Sequence, residues 1–258
     1  MEKHDSGTAL ITGASSGIGK AFAQKLASLG YDLILVARRK EKLDAIARDL
    51  EAKHPVTVEV LPGDLAKGGD ISQIEQRIEA LDTLTMLVNN AGFGTTGHLS
   101  NVDVTKLMAM IAVHVSAPTR LARAVLPRMI ARNRGAIINV ASPAAFVLFP
   151  GNTTYSATKH YLITFSEGLN LELEGTGIKV QALCPGFTRS EFHDTEEFRE
   201  SKSKSIPNWL WMSAEEVVKR SLDALDRKQV VLIPGFINHL MYVRMRRLTA
   251  YLARKMLQ

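Results

Sequence analysis

Cysteine is almost absent from this 258-residue chain, because Cys184 stands alone and no intramolecular disulfide can form. At the end of the apolar run 180–183 it reads as a buried, inert thiol, and its solitude suits a reducing compartment. Long hydrophobic runs are also missing. No apolar stretch is long enough to span a bilayer, and no apolar segment follows the charges of residues 1–7, so a cytoplasmic protein is expected. Low-complexity segments, Ser/Gly linkers and internal repeats are lacking as well, and nothing marks a domain boundary; residues 1–258 read as a single domain. A strong charge of either sign is absent from the body. The formal net charge is +6, but Arg244, Arg246, Arg247, Arg254 and Lys255 crowd the tail without an acidic neighbour. With that tail set aside the remainder is nearly balanced, which argues against a nucleic-acid partner.

What is present is an ordinary globular composition, 46% hydrophobic and 22% charged, able to bury a sizeable core. Short runs rich in Val, Ile and Leu recur at 8–12, 32–37, 56–61, 84–89, 136–141, 179–183 and 230–233. Between them, residues 17–29, 41–52, 71–81, 104–131, 154–174 and 214–226 carry apolar residues at helical spacing. Strands buried on both faces and alternating with helices predict a parallel sheet, and right-handed crossovers put helices on both of its faces. The expectation is a seven-stranded, doubly wound α/β fold of the Rossmann type. Residues 190–212 break the rhythm, being long and polar yet carrying Phe192, Phe198, Trp209 and Trp211, and they read as a substrate lid. Residues 236–258 read as a basic helical extension with an apolar stripe at Ile237, Met241, Met245, Leu248, Leu252 and Met256. Such a helix suits packing on the body, contact with a second copy, or an anionic membrane surface.

Three segments carry chemistry. Directly after the first strand comes Thr12-Gly13-Ala14-Ser15-Ser16-Gly17-Ile18-Gly19. Its glycines permit a tight turn, and the backbone N–H groups around Ser15, Ser16, Gly17, Ile18 and Gly19 open a helix whose positive end favours a pyrophosphate. The spacing differs from the G-x-G-x-x-G fingerprint, and by itself it says nucleotide without saying which. At the end of the second strand an acidic residue would accept the ribose hydroxyls of NAD, but the chain reads Val36-Ala37-Arg38-Arg39-Lys40. Guanidinium in place of carboxylate suits a 2′-phosphate, so NADP(H) is the expected cofactor; the alternative is that both arginines simply begin a solvated helix. The third segment is Tyr155-Ser156-Ala157-Thr158-Lys159, with Ser142 at the end of the preceding strand. One helical turn brings Tyr155 and Lys159 to a common face. A lysine beside a phenol favours the phenolate, and a serine hydroxyl at the same point would hold a substrate oxygen as charge develops on it. The set suits hydride transfer with proton donation, and it needs no metal.

Taken together, residues 12–19, Asn89-Asn90-Ala91-Gly92, Ser142, Tyr155 with Lys159, and Pro185-Gly186 resemble the short-chain dehydrogenase/reductase family in order and spacing, over roughly residues 7–190. The resemblance implies that Asp64 lies at the adenine, Asn90 near the adenine-side ribose, Lys159 on the nicotinamide ribose hydroxyls, and Phe187 with Thr188 near the carboxamide. It also implies a homo-oligomer formed through the two long helices.

The chain departs from the family at His114, in Ala112-Val113-His114-Val115-Ser116-Ala117, where the family carries an asparagine that helps hold a proton-relaying water. An imidazole there is either a titrating relay member or a packed core histidine. The apolar segment 143–150 and the aromatic residues of 190–212 suggest an apolar pocket wall, suited to a hydrophobic ketone, a steroid-like alcohol or a 3-oxoacyl group. Two other classes compete with the oxidoreductase reading. One is a catalytically silent NADP(H)-binding regulatory module, opposed by the intact Ser-Tyr-Lys set; the other is a nucleotide-sugar epimerase, opposed by the short chain after Pro185.

Overall fold

The structure is a computed structural model that describes residues 7–147, 150–193, 207–227 and 229–235. Seven parallel strands form one sheet in the order β3-β2-β1-β4-β5-β6-β7. They are β1 (Thr8–Thr12), β2 (Asp32–Ala37), β3 (Val58–Pro62), β4 (Leu84–Asn89), β5 (Gly135–Val140), β6 (Ile178–Leu183) and β7 (Val231–Leu232). The helices are α1 (Gly17–Ser28), α2 (Lys40–Lys53), α3 (Gly68–Glu79), α4 (Val104–Ile111), α5 (Ala117–Ala131), α6 (Thr153–Glu172) and α7 (Ala214–Ala224). This is the expected doubly wound fold.

Alternation along the central strands builds a core on each side of the sheet. Ala9, Ile11, Leu33 and Leu35 point to one side, where Phe22, Leu26, Leu43, Leu50, Val217 and Val218 from α1, α2 and α7 meet them. Leu10, Ile34 and Val36 point to the other, against Ile74, Ile78, Leu121, Val125 and Leu169 from α3, α5 and α6. The strand order reverses between β1 and β4, so the connections from these two strands leave in opposite directions and open a crevice at their C-terminal ends. In open α/β sheets that crevice is where ligands bind.

The predicted helix 104–131 is interrupted. Residues Ala112–Ser116 form a π-helical turn between α4 and α5. Pro118 lacks the N–H that would bond the carbonyl of residue 114 in an α-helix, so the ladder is already broken there. The ends of the long segment after β6 meet: Met212 N–H donates to Phe187 O (2.9 Å) and Arg189 N–H donates to Met212 O (3.0 Å), closing its base. The middle of the expected lid (194–206) and the expected C-terminal extension (236–258) lie outside the described residues. Among the described residues no helix is long and apolar enough to cross a membrane.

Candidate active site

At the crevice, the turn after β1 is held by the end of β4. Asn90 Nδ2 donates to Thr12 O (2.9 Å) and Gly13 O (3.3 Å), and Thr12 Oγ1 accepts from the N–H groups of Asn90 (2.9 Å) and Ala91 (3.0 Å). Glycine is required where these backbones crowd. A Cβ on Gly19 would lie 2.3 Å from Gly13 O, and Gly13 itself has φ +67° with Ala91 Cα 2.9 Å from where its Cβ would be. The N-cap of α1 is Ser16 in extended conformation, and its hydroxyl makes no capping bond. The first-turn N–H groups of α1 thus receive no bond from the Ser16 side chain, and Gly17 and Gly19 bring no side chain of their own to cover them. These residues fit the pyrophosphate of a dinucleotide.

The two arginines after β2 differ. Arg39 donates from Nη2 to Ser15 Oγ (2.9 Å) and Ser16 Oγ (3.1 Å), and from Nη1 to Glu191 (2.8 Å). Arg38 is exposed and makes no hydrogen bond to another described residue. Arg39 is therefore the arginine built into the glycine-rich turn. Lys42, one helical turn further on, also binds Glu191 (2.8 Å); neither Lys42 nor Glu191 stood out in the sequence. Asp64 closes a turn by accepting from Ala66 N–H (3.1 Å), while buried Thr188 donates its hydroxyl to Gly186 O (3.0 Å).

Around the end of β5 the three expected reacting residues come together. Ser142 is the N-cap of the 3₁₀ turn Pro143–Ala145, and its oxygen accepts from Ala144 N–H (3.2 Å). The same hydroxyl neighbours the Tyr155 phenol and opposes the rise of its pKa. Lys159 is buried, donates to Val140 O (2.9 Å), and lies 5.6 Å from the Tyr155 ring centre. The electrostatics differ from the sequence-based expectation that Lys159 lowers the phenol. Burial pushes Tyr155 up to about 12, the Ser142 hydroxyl opposing it, while burial pushes Lys159 down to about 8. Desolvation is the largest cause of both shifts, because both groups sit in the low-dielectric floor of the crevice. At neutral pH the phenol keeps its proton. Cys184 is a buried neighbour of this pair, and burial pushes its thiol up to about 12, as expected of an inert one.

His114 sits in the π turn, fully buried and edge-on to Tyr155 with ring centres 5.7 Å apart. Its Nε2 accepts from Phe93 N–H (3.1 Å) and its Nδ1 pairs with Thr158 Oγ1 (3.0 Å), whose proton goes to Tyr155 O (2.8 Å). Nδ1 must then be the protonated nitrogen. Both ring nitrogens are satisfied in a neutral imidazole, and burial, then the Lys159 charge, hold it well below its ordinary pKa. These are the contacts of a packed, neutral histidine.

A glycine-rich turn at the switch point, with a serine and a tyrosine gathered over a buried lysine, is the arrangement of a dinucleotide-dependent oxidoreductase. The sequence pattern of the family described as short chain dehydrogenase matches residues 7–201. The chain belongs to this short-chain dehydrogenase/reductase family. It is 34% identical over 242 residues to an NADP-dependent 3-hydroxy acid dehydrogenase of Schizosaccharomyces pombe, covering 90% of this chain and 92% of that one. Its fold is similar to a short-chain dehydrogenase from Sphingobium yanoikuyae solved with NADPH (TM-score 0.84, 36% identity, 96% of this chain and 95% of that one). It is also similar to a bulky-bulky ketone specific alcohol dehydrogenase from Comamonas testosteroni (TM-score 0.82, 34% identity, 97% and 94%).

Proposed function

We propose that this protein is an NADP(H)-dependent oxidoreductase that interconverts a bulky apolar ketone and its secondary alcohol, with Tyr155 as general acid/base. The observation that carries the reading is the convergence of Ser142, Tyr155 and buried Lys159, whose Nζ lies 5.6 Å from the Tyr155 ring centre and donates to Val140 O, at the C-terminal edge of β5 beside the switch point. Gly13, Gly17 and Gly19 with the first turn of α1 hold the pyrophosphate, and Ser15, Ser16 and Arg39 hold the 2′-phosphate. Asp64, Asn90 and Thr188 line the remaining length of the dinucleotide. When bound, the dinucleotide supplies the hydride that reaches the carbonyl carbon.

Ser142 donates a hydrogen bond to the substrate oxygen and fixes it beside Tyr155. In reduction the phenolic proton passes to that oxygen as negative charge develops, and the phenolate regains a proton from solvent; oxidation runs the same transfer backwards. Lys159 steadies the developing phenolate by its charge, an attraction that the desolvated floor strengthens. Aromatic rings from the chain after β6 give the substrate side its character: Phe192 lies 6.2 Å from Tyr155 and Phe187 5.6 Å from Trp211. Such a wall favours large apolar substituents, in keeping with the bulky-bulky ketone specificity of the similar Comamonas enzyme.

The test is to titrate the protein with NADPH and NADH and then to follow NADPH oxidation across bulky aryl or polycyclic ketones, small ketones and 3-oxoacyl thioesters. Turnover confined to the bulky ketones is expected. Turnover confined to the thioesters would replace the substrate assignment, and failure to bind either dinucleotide would overturn the reading.

A further inference from the structure

Glu191 is the first residue of the 3₁₀ turn Glu191–His193, on the chain leaving β6. Its neighbour Ser190 lies against the glycine-rich turn, with its Cβ 2.9 Å from where a Cβ of Gly17 would be. From this position, about 150 residues away in sequence, the Glu191 carboxylate reaches Arg39 Nη1 and Lys42 Nζ, each at 2.8 Å. The other edge of the Arg39 guanidinium is spent on the hydroxyls of Ser15 and Ser16. A carboxylate therefore holds the guanidinium that binds those hydroxyls together with Lys42, and carboxylate and phosphate satisfy the guanidinium fork in the same way.

Resting on the cofactor reading above, we propose that Glu191 competes with the cofactor's 2′-phosphate for Arg39 and Lys42, so that a residue of the substrate-side segment sets nucleotide preference. A carboxylate that only oriented Arg39 would aid binding, but Ser15 and Ser16 already orient that side chain. Two anions on one guanidinium repel each other, and Glu191 must yield or share for the phosphate to be taken up. Hydrogen bonds from Lys42 and then Arg39 pull Glu191 down to about 2, so the competing charge persists across the working pH range. NADH, without a 2′-phosphate, escapes the competition.

The experiment measures Kd for NADPH and NADH by calorimetry on the full chain, with Glu191→Gln, Arg39→Ala and the double variant, each checked for an unchanged melting profile. Glu191→Gln is expected to tighten NADPH about three- to tenfold, as release of half-exposed ion pairs allows, with NADH unchanged within about twofold. In the Arg39→Ala background that gain should shrink or vanish. Weaker or unchanged NADPH binding in Glu191→Gln, or an equal gain for NADH, would overturn the proposal. If Arg39→Ala leaves the NADPH preference intact, the 2′-phosphate site itself is misassigned, which is a different failure and is read from a different variant.

Discussion

Tyr155 and Lys159 are a protonated acid over a marginally charged base of support, and their pH behaviour follows from that. Reductive kcat/KM is expected to fall on the alkaline side near pH 8, where Lys159 loses its charge, with no inflection near 6.5, because His114 stays neutral throughout. A limb near 6.5 that disappears in His114→Asn would return His114 to the proton path. Stability carries the same signature. Lys159 binds its proton less tightly folded (about 8) than unfolded (10.5), so between about pH 8 and 9 the unfolded chain holds more protons and stability rises with pH. The rise should reach at most about 1.4 kcal/mol per pH unit and flatten in Lys159→Met, measured by denaturant unfolding across that window. Above this range the raised Cys184 and Tyr155 reverse the slope. At the nucleotide end, Arg39→Ala should weaken NADPH about ten- to hundredfold and Arg38→Ala much less, by calorimetry. Residue types and spacing named the Ser-Tyr-Lys set and the arginine pair. They were silent on which arginine turns inward, because that depends on serines and a glutamate supplied by other loops.

Among the elements, the turn joining β1 to α1 is held to tighter tolerances than its sequence suggests. Gly19→Ala would push a methyl group onto a backbone oxygen that cannot yield. It should destabilise the fold by about 1–3 kcal/mol and weaken both dinucleotides, read by denaturant melts and by titration. The strands and most helices were legible because a two-residue alternation and a 3.6-residue stripe are local properties, and observed boundaries differ from the predicted ones by a few residues at most. The helix predicted over 104–131 hid its π turn, since hydrophobic spacing does not report a missing hydrogen bond. Pro118 was the available signal. That turn places His114 against Phe93 and Thr158 and so braces the backbone beneath Tyr155.

At the scale of the whole molecule, the parallel topology gathers residues from β1, β2, β5, α6 and the segment after β6 onto one edge of the sheet. The sequence carried the order of those strands only through its family resemblance, and the link from Glu191 to Arg39 and Lys42 not at all. Helices α4 and α6 leave Val104, Met108 and Leu171 exposed by 67%, 58% and 71%. If copies pair through these helices, as the family resemblance implies, Met108→Glu with Leu171→Glu should lower the solution mass by light scattering without lowering the melting temperature of the monomer fold, whereas an unchanged mass would remove these helices from the interface. The most direct test of the chemistry is single-turnover oxidation of NADPH by Tyr155→Phe with a bulky aryl ketone, alongside its NADPH affinity. The expected result is a rate lower by about 10²–10⁴ with affinity within a few-fold of the native protein; a native rate with native affinity would contradict Tyr155 as the proton donor.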